Sequence, residues 1–308
     1  MQYKLFLPAV AAASIFLAAC DFEDFSGERY SRDFHYSFPL KPGGRLMIES
    51  FNGSIEISGW DQDSVDISGT KYGPTQERAD GLRIETSNTP ESVTVRAIRP
   101  SERRGNQGAR FVVKVPRSAL LDRISTSNAS IRTVDGAGPA HLRTSNGSIR
   151  VQDLRGSLDA ETSNASVDLI DVEGAVIARS SNGHIHAEGL RGGFDAKTSN
   201  AGVNARVARA DRSIRVETSN GGVELALPDG ITNDVRVKTS NSGITVRLPE
   251  PAKARILART SNSSISSDFD LKMHGEVGKN HVDGEMGSGG GPLIDLETAN
   301  GHIRLMKM

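Results

Sequence analysis

Residues 124–203 decide the fold. They contain S-T-S-N-A-S-I at 125–131, R-T-S-N-G-S-I at 143–149, E-T-S-N-A-S-V at 161–167, R-S-S-N-G-H-I at 179–185 and K-T-S-N-A-G-V at 197–203. Asn128, Asn146, Asn164, Asn182 and Asn200 are spaced by 18 residues each time. A fixed period of this length is the signature of a stacked repeat. Outside this block the element recurs at Asn52, Asn88, Asn220, Asn241, Asn262 and Asn300, giving eleven copies with 18–21-residue spacing through most of the array.

Aligned on the asparagine, the residue two before it is Thr or Ser in every copy. The residue after it is Gly, Ala or Ser except at Thr89, and the third after it is Ile or Val except at Glu91. Thr at Asn−2 and the aliphatic at Asn+3 differ in parity, so one uninterrupted strand cannot turn both inward. The unit therefore reads as strand, tight corner, strand. The expected cause of the corner is left-handed backbone at the asparagine and the small residue after it. Leu158, Ala160 and Thr162 supply one inward face, and Val167 and Leu169 the other.

One such unit cannot bury its apolar side alone, but a stack can. Coils about 4.8 Å apart would let equivalent asparagines bond inward, up the stack, as a ladder. The expected fold is all-β, a single-chain parallel β-solenoid of about eleven coils, about 50 Å long. An 18-residue coil fits either hand. At Asn−3 the residues Arg143, Glu161, Arg179, Lys197, Glu217 and Lys238 largely alternate in sign. Such neighbours hold coils in register at roughly 0.2–1 kcal/mol per pair.

Residues 1–19 read as a lipoprotein signal peptide. Lys4 gives the positive start, residues 5–17 the apolar core, and L-A-A-C at 17–20 a lipobox. The apolar run is too short to span a bilayer. Cys20, the sole cysteine of 308 residues, sits at the cleavage position. By resemblance to lipoproteins it carries the lipid, and several acyl chains hold a protein stably on a membrane. Residues 20–29 form the lipidated N-terminus and a polar tether. Asp21 resembles an inner-membrane retention signal, but Phe22 does not complete it, so inner and outer membrane both remain open. The formal net charge of −1 gives no global attraction to nucleic acid.

The domain then runs over 30–308. P-G-G-R-L-M-I-E-S-F-N-G-S-I-E-I-S-G-W-D at 42–61, V-K-V-P at 113–116, the T-S-N array and G-G-G-P-L-I-D-L-E-T-A-N-G-H-I at 289–303 resemble the bacterial putative-adhesin β-strand-repeat family, a domain of unknown function. The resemblance implies a β-solenoid in the cell envelope and an adhesive role. It brings no catalytic residues.

Two insertions interrupt the rhythm. Residues 96–110 read as a flexible basic loop with Arg99, Arg103 and Arg104. Residues 267–291 contain His274, Glu276, His281, Asp283 and Glu285. Loops on a rigid scaffold often carry binding, and the second lies where a solenoid needs an end cap.

His184 and His186 share an outward face, while His274 and His281 lie in the second insertion. Neither set has the compact spacing of a metal site. Carbohydrate-cleaving β-helices need acidic or basic groups converging on one groove, whereas Asp159, Asp168, Asp171 and Asp195 are scattered over outward positions. The expectation is a non-enzymatic, lipid-anchored envelope protein with no cofactor, an adhesin or scaffold. Its partners would be the membrane through the lipid, and envelope polysaccharide or a surface protein. The alternative is a polysaccharide-active β-helix enzyme.

Overall fold

A computed structural model describes residues 30–98, 106–274 and 278–308. The signal peptide, Cys20, the tether, Arg99, Arg103, Arg104 and Glu276 lie outside the described residues. The chain folds as a parallel solenoid with two long sheets, of 13 and 14 strands, facing each other across one core. Each repeat puts a short strand before its asparagine into one sheet and a longer strand after it into the other. Leu158–Glu161 and Val167–Glu173 make one such coil. Equivalent strands pair parallel and in register, Leu158 beside Val176 and Val167 beside Ile185.

The period-two burial follows from the pleat. Ile149, Val167, Ile185, Val203, Val223 and Ile244 at Asn+3 are almost wholly buried, and Leu142, Ala160, Ala178 and Ala196 face them from the other sheet. Burying one such Ile or Val contributes about 1.5–3 kcal/mol. Alanines keep the two sheets close, and Phe194, stacked between Val176 and Ile214, fills one wider layer.

The corner is not built as the sequence suggests. No asparagine of the repeat has a positive φ, and of the small residues after them only Gly53 does, at 100°; among the described residues the non-glycine positions with positive φ are Asp135, Asp153 and Asp171, 18 residues apart on the opposite edge. At the asparagine corner two successive N–H groups, such as those of Ser163 and Asn164, both donate to one carbonyl in the coil below, here Ser145. From the Asn128 coil onward that shared acceptor turns the chain without left-handed backbone.

Beyond Gly53, the glycines after the asparagine answer to space rather than to φ. A Cβ on Gly147 would lie 1.8 Å from the Ala129 carbonyl oxygen, and one on Gly183 1.7 Å from that of Ala165. Along the stack this position reads Gly53, Ala129, Gly147, Ala165, Gly183, Ala201, Gly221, Ser242, Gly301, Ser263, so glycine occupies every second rung.

The stack does not follow chain order at either end. Leu293–Thr298 lies between Val235–Lys238 and Ala254–Thr260 in one sheet. Ile303–Lys307 lies between Ile244–Leu248 and Ile265–Ser267 in the other. The last coil in sequence is therefore the penultimate coil in space. At the other end, Ser92–Ile98 and Gly108–Pro116 form a layer outside the Asn52 coil.

Both ends are closed by antiparallel additions. Tyr30–Pro39 pairs with Ser64–Gly73, which pairs with Gly108–Pro116, and Phe34, Tyr36 and Phe38 line up against the core. The short helix Gln76–Gly81, capped by the Thr75 hydroxyl, brings Ala79 and Leu82 over this end.

Both ends of the region expected as a basic loop are strand, since Arg96 to Ile98 and Gly108 to Arg110 belong to the outer layer, while 99–105 lie outside the described residues. Within 267–291, Leu271–Met273 and His281–Met286 form an antiparallel pair. His281–Met286 docks on Ala254–Thr260. The carbonyls of Lys279 and Asn280 accept from the amides of Ile265 and Thr260. This insertion is built as an end cap.

Candidate functional site

The repeated polar residues form two parallel ladders. On the outside, each asparagine Nδ2 donates to the Oδ1 of the coil nearer the N-terminal end, Asn146 to Asn128 at 2.7 Å, Asn164 to Asn146 at 2.7 Å and Asn182 to Asn164 at 2.8 Å. The row continues through Asn200, Asn220 and Asn241 to Asn300 and then Asn262. It begins at Asn52, which accepts from Asn128 and whose own Nδ2 donates to the Gln107 carbonyl at 2.9 Å. Asn88 is not a rung. It sits in Arg83–Thr89, an antiparallel edge strand, opposite Val93. The reason is local: with Glu91 where other copies carry an aliphatic, the first inward side chain after Asn88 is Val93, on the strand that returns antiparallel beside it.

The asparagines are exposed, apart from half-buried Asn52, which corrects the expectation that they point inward. The buried ladder belongs to the threonines at Asn−2. Thr162 and Thr198 are each 2 % exposed, and their hydroxyls donate to the carbonyls of Gly147 at 2.8 Å and Gly183 at 3.1 Å. Ser180 does the same to Ala165 at 3.1 Å, and also accepts from the Gly183 amide at 2.9 Å. Gln107, which closes the N-terminal end of the asparagine row, carries no repeat signal and is invisible to periodicity.

The outward charges pair between coils. Arg143 meets Glu161 at 3.0 Å, Lys197 meets Glu217 at 3.7 Å and Lys238 meets Glu297 at 3.0 Å. Glu217 lies closer still to Arg215 of its own strand, at 2.5 Å. The Arg215 hydrogen bond, then the Arg215 and Lys197 charges, hold its carboxyl below the usual glutamate range.

Recesses break the regular surface at several places. One is a trough of about 640 Å³ whose floor is Gly202, Gly221 and Gly222. Asn182 and Asn200 stand on one side, His184, His186, Asn204 and Glu224 also line it, and Ile185, Ala201 and Val203 add apolar surface. His184 is tied to the floor, its Nδ1 accepting from the Gly202 amide at 3.3 Å. The second runs along the left-handed edge past Arg117, Asp135, Asp153, Asp171, Glu173 and Arg191, with a volume of about 490 Å³. There Arg117 grips Asp135 at 2.8 Å and holds its carboxyl below the usual aspartate range. The third, about 320 Å³, is lined by Pro228, Ile231, Leu248, Pro251 and Ala252 among others.

The aspartates considered for catalysis do not share a groove. Asp159 and Asp195 lie on one sheet and Asp168 and Asp171 on the other, Asp171 at a left-handed position three residues further along the strand. His274 contacts Glu285 at 3.4 Å in the end cap, far along the stack from His184 and His186. Among the described residues no three of His, Cys, Asp and Glu gather closely enough to hold a metal ion.

Parallel strands in two facing sheets, repeated coil upon coil with a polar ladder at one corner, define a β-solenoid. The Toastrack DUF4097 family profile matches residues 44–250, two thirds of the chain, and the protein belongs to that family. Among solved structures, a putative cell adhesion protein from Clostridium sporogenes is 13% identical with a TM-score of 0.25, covering 90% of this chain and 100% of that one. A putative adhesin from Bacteroides fragilis is 10% identical with a TM-score of 0.33, covering 90% and 97%. One from Parabacteroides distasonis is 7% identical with a TM-score of 0.30, covering 89% and 97%. No curated protein sequence matches this chain.

Proposed function

We propose that this protein is a non-enzymatic, lipid-anchored rod of the bacterial envelope that presents a rigid surface for adhesion or scaffolding. The observation that carries this reading is the use of the outward polar groups. Asparagine bonds to asparagine, and acids and bases pair with the coil above or below. Side chains held this way form a fixed lattice repeating at the strand spacing of about 4.8 Å. A lattice of that kind suits an extended polar partner, such as an envelope polysaccharide, better than one small substrate. The trough beside Asn182 and Asn200 is the natural contact face, because its glycine floor leaves the backbone open beside amide and imidazole groups.

Anchoring rests on the lipobox at 17–20. In labelled cells the wild-type chain is expected to incorporate fatty acid at Cys20, and Cys20→Ser to incorporate none and to remain as precursor. Equal labelling of both would overturn the anchor. Purified protein incubated with envelope polysaccharide is expected to bind without releasing new reducing ends. Steady release of reducing ends, abolished by substituting one of the acidic residues, would instead establish the enzyme reading.

A further inference from the structure

We propose that the C-terminal coil, residues 292–308, is a donor element that a second copy of this chain can accept, so that two copies can join by exchanging it. The inference does not rest on the adhesin reading. It starts from the order of the stack. Leu293–Thr298 and Ile303–Lys307 are flanked on both sides by strands formed earlier in the chain. The slot between the Asn241 and Asn262 coils is filled by a segment that arrives after both.

Two independent patterns make that slot selective. The first is steric. A Cβ at Gly301 would fall 1.6 Å from the Ser242 carbonyl oxygen, so the rung above Ser242 must be glycine. If the Asn262 coil stacked directly on the Asn241 coil, Ser263 would occupy that place with its Cβ. The second is electrostatic. Direct stacking would set Arg259 beside Lys238, whereas the inserted coil sets Glu297 between them, 3.0 Å from Lys238. Like charges directly opposite are unfavourable, and opposite ones favourable. Both patterns reject the coil next in sequence and admit the C-terminal one.

The connection into the slot is suited to exchange. After His281–Met286 the chain runs through Gly287, Ser288, Gly289, Gly290 and Gly291, and Gly287, Gly289 and Gly290 hold left-handed φ values of 71°, 76° and 74°. To fill its own slot this segment must cross from the outer side of Ala254–Thr260 to its inner side. Directed instead at a neighbouring molecule, the same coil makes the same buried contacts through Ile294, Leu296, Ile303 and Leu305. Exchange of an identical element is a low-cost route to a dimer. The tethered coil competes at an effective concentration on the order of millimolar, so the monomer prevails when dilute and exchange requires the slot to open at high concentration.

A cysteine pair reads this directly, in the full chain carrying Cys20→Ser. Lys238 and Glu297 are paired neighbours, about 4.8 Å apart and within disulfide reach, whereas Lys238 and Arg259 are two layers, about 10 Å, apart. One batch carries Lys238→Cys and the other Glu297→Cys. They are unfolded together, refolded at about 1 mM and oxidised. The expected result is a covalent dimer joining the two variants, absent when the native proteins are simply mixed in dilute solution. Adding Gly301→Ala to the Glu297→Cys chain should abolish it. The proposal is overturned if no joined dimer forms while a single chain with both Lys238→Cys and Glu297→Cys closes internally. It also falls if a Lys238→Cys/Arg259→Cys chain closes, or if Gly301→Ala leaves the yield unchanged.

Discussion

Gly183→Ala tests the idea that alternate rungs must be glycine. The new Cβ would stand 1.7 Å from the Ala165 carbonyl oxygen and 2.1 Å from its carbon, both backbone atoms without a rotamer to escape through. Ordinary contact would require the two coils to part by about 1.5 Å at this corner, judged against carbon contact distances of about 3.5 Å. Several bonds cross that gap: Asn182 N–H to the Ser163 carbonyl, Ser181 N–H to the same oxygen, Ser180 Oγ to the Ala165 carbonyl, and the Asn182–Asn164 amide pair. Weakening three or four bonds at about 1 kcal/mol each predicts a loss of about 3–4 kcal/mol. The reverse change, Ala165→Gly, adds only backbone freedom and should cost about 0.5–1 kcal/mol. Combining the two should not rescue Gly183→Ala, because the obstacle is the carbonyl at position 165 and not its methyl group. Urea unfolding followed by far-ultraviolet circular dichroism gives all three values. A Gly183→Ala loss below about 0.5 kcal/mol, or rescue in the double variant, would refute the steric argument.

Thr162→Val should cost about 1–3 kcal/mol by leaving the half-buried Gly147 carbonyl without its hydroxyl donor, while Asn164→Ala, on the exposed ladder, should cost about 0.5–1.5 kcal/mol, both by urea denaturation. Thr133→Val should raise stability by about 1 kcal/mol, since the Thr133 hydroxyl is buried between Ile57 and Val151 with no partner. Arg215 and Lys197 depress the Glu217 pKa in the folded state, so this carboxylate contributes stability above the ordinary glutamate value near pH 4.3, and loses it as pH falls through the lower folded value. Glu217→Gln should therefore flatten the acid limb of the stability profile below about pH 4.3. Replacing 267–291 with a short linker should cost the order of the C-terminal coils, seen as rapid proteolysis there, because the excised hairpin supplies the carbonyls that cap Ile265 and Thr260.

The solenoid is legible in the sequence because one layer is legible. The parity of Thr162 and Val167 forces a corner, and the 18-residue step forces a stack. What periodicity could not supply was orientation at the corner. Asn and Thr recur equally often, and only the three-dimensional turn shows that Thr162 is buried and Asn164 exposed. Nor does a repeat announce the order of its coils when the chain doubles back. The clue was present, since glycine alternation fails in sequence order between Ser242 and Ser263 and is restored only when Gly301 is placed between them. The end caps left weaker traces. Gln107 and the strands within 267–291 are single occurrences, and a pattern argument has nothing to compare them with.

Because the last coil in this sequence is tucked beneath the one before it, Met308 lies away from the tip of the stack. The Met308 amide bonds to the Leu248 carbonyl, one layer inside the end, yet the Met308 side chain is 61% exposed. A segment fused after Met308 would leave from the flank, not past the antiparallel pair Leu271–Met273 and His281–Met286 at the end of the stack. Segment ends normally fray first, and here Ile303 to Leu305 are held between strands on both sides.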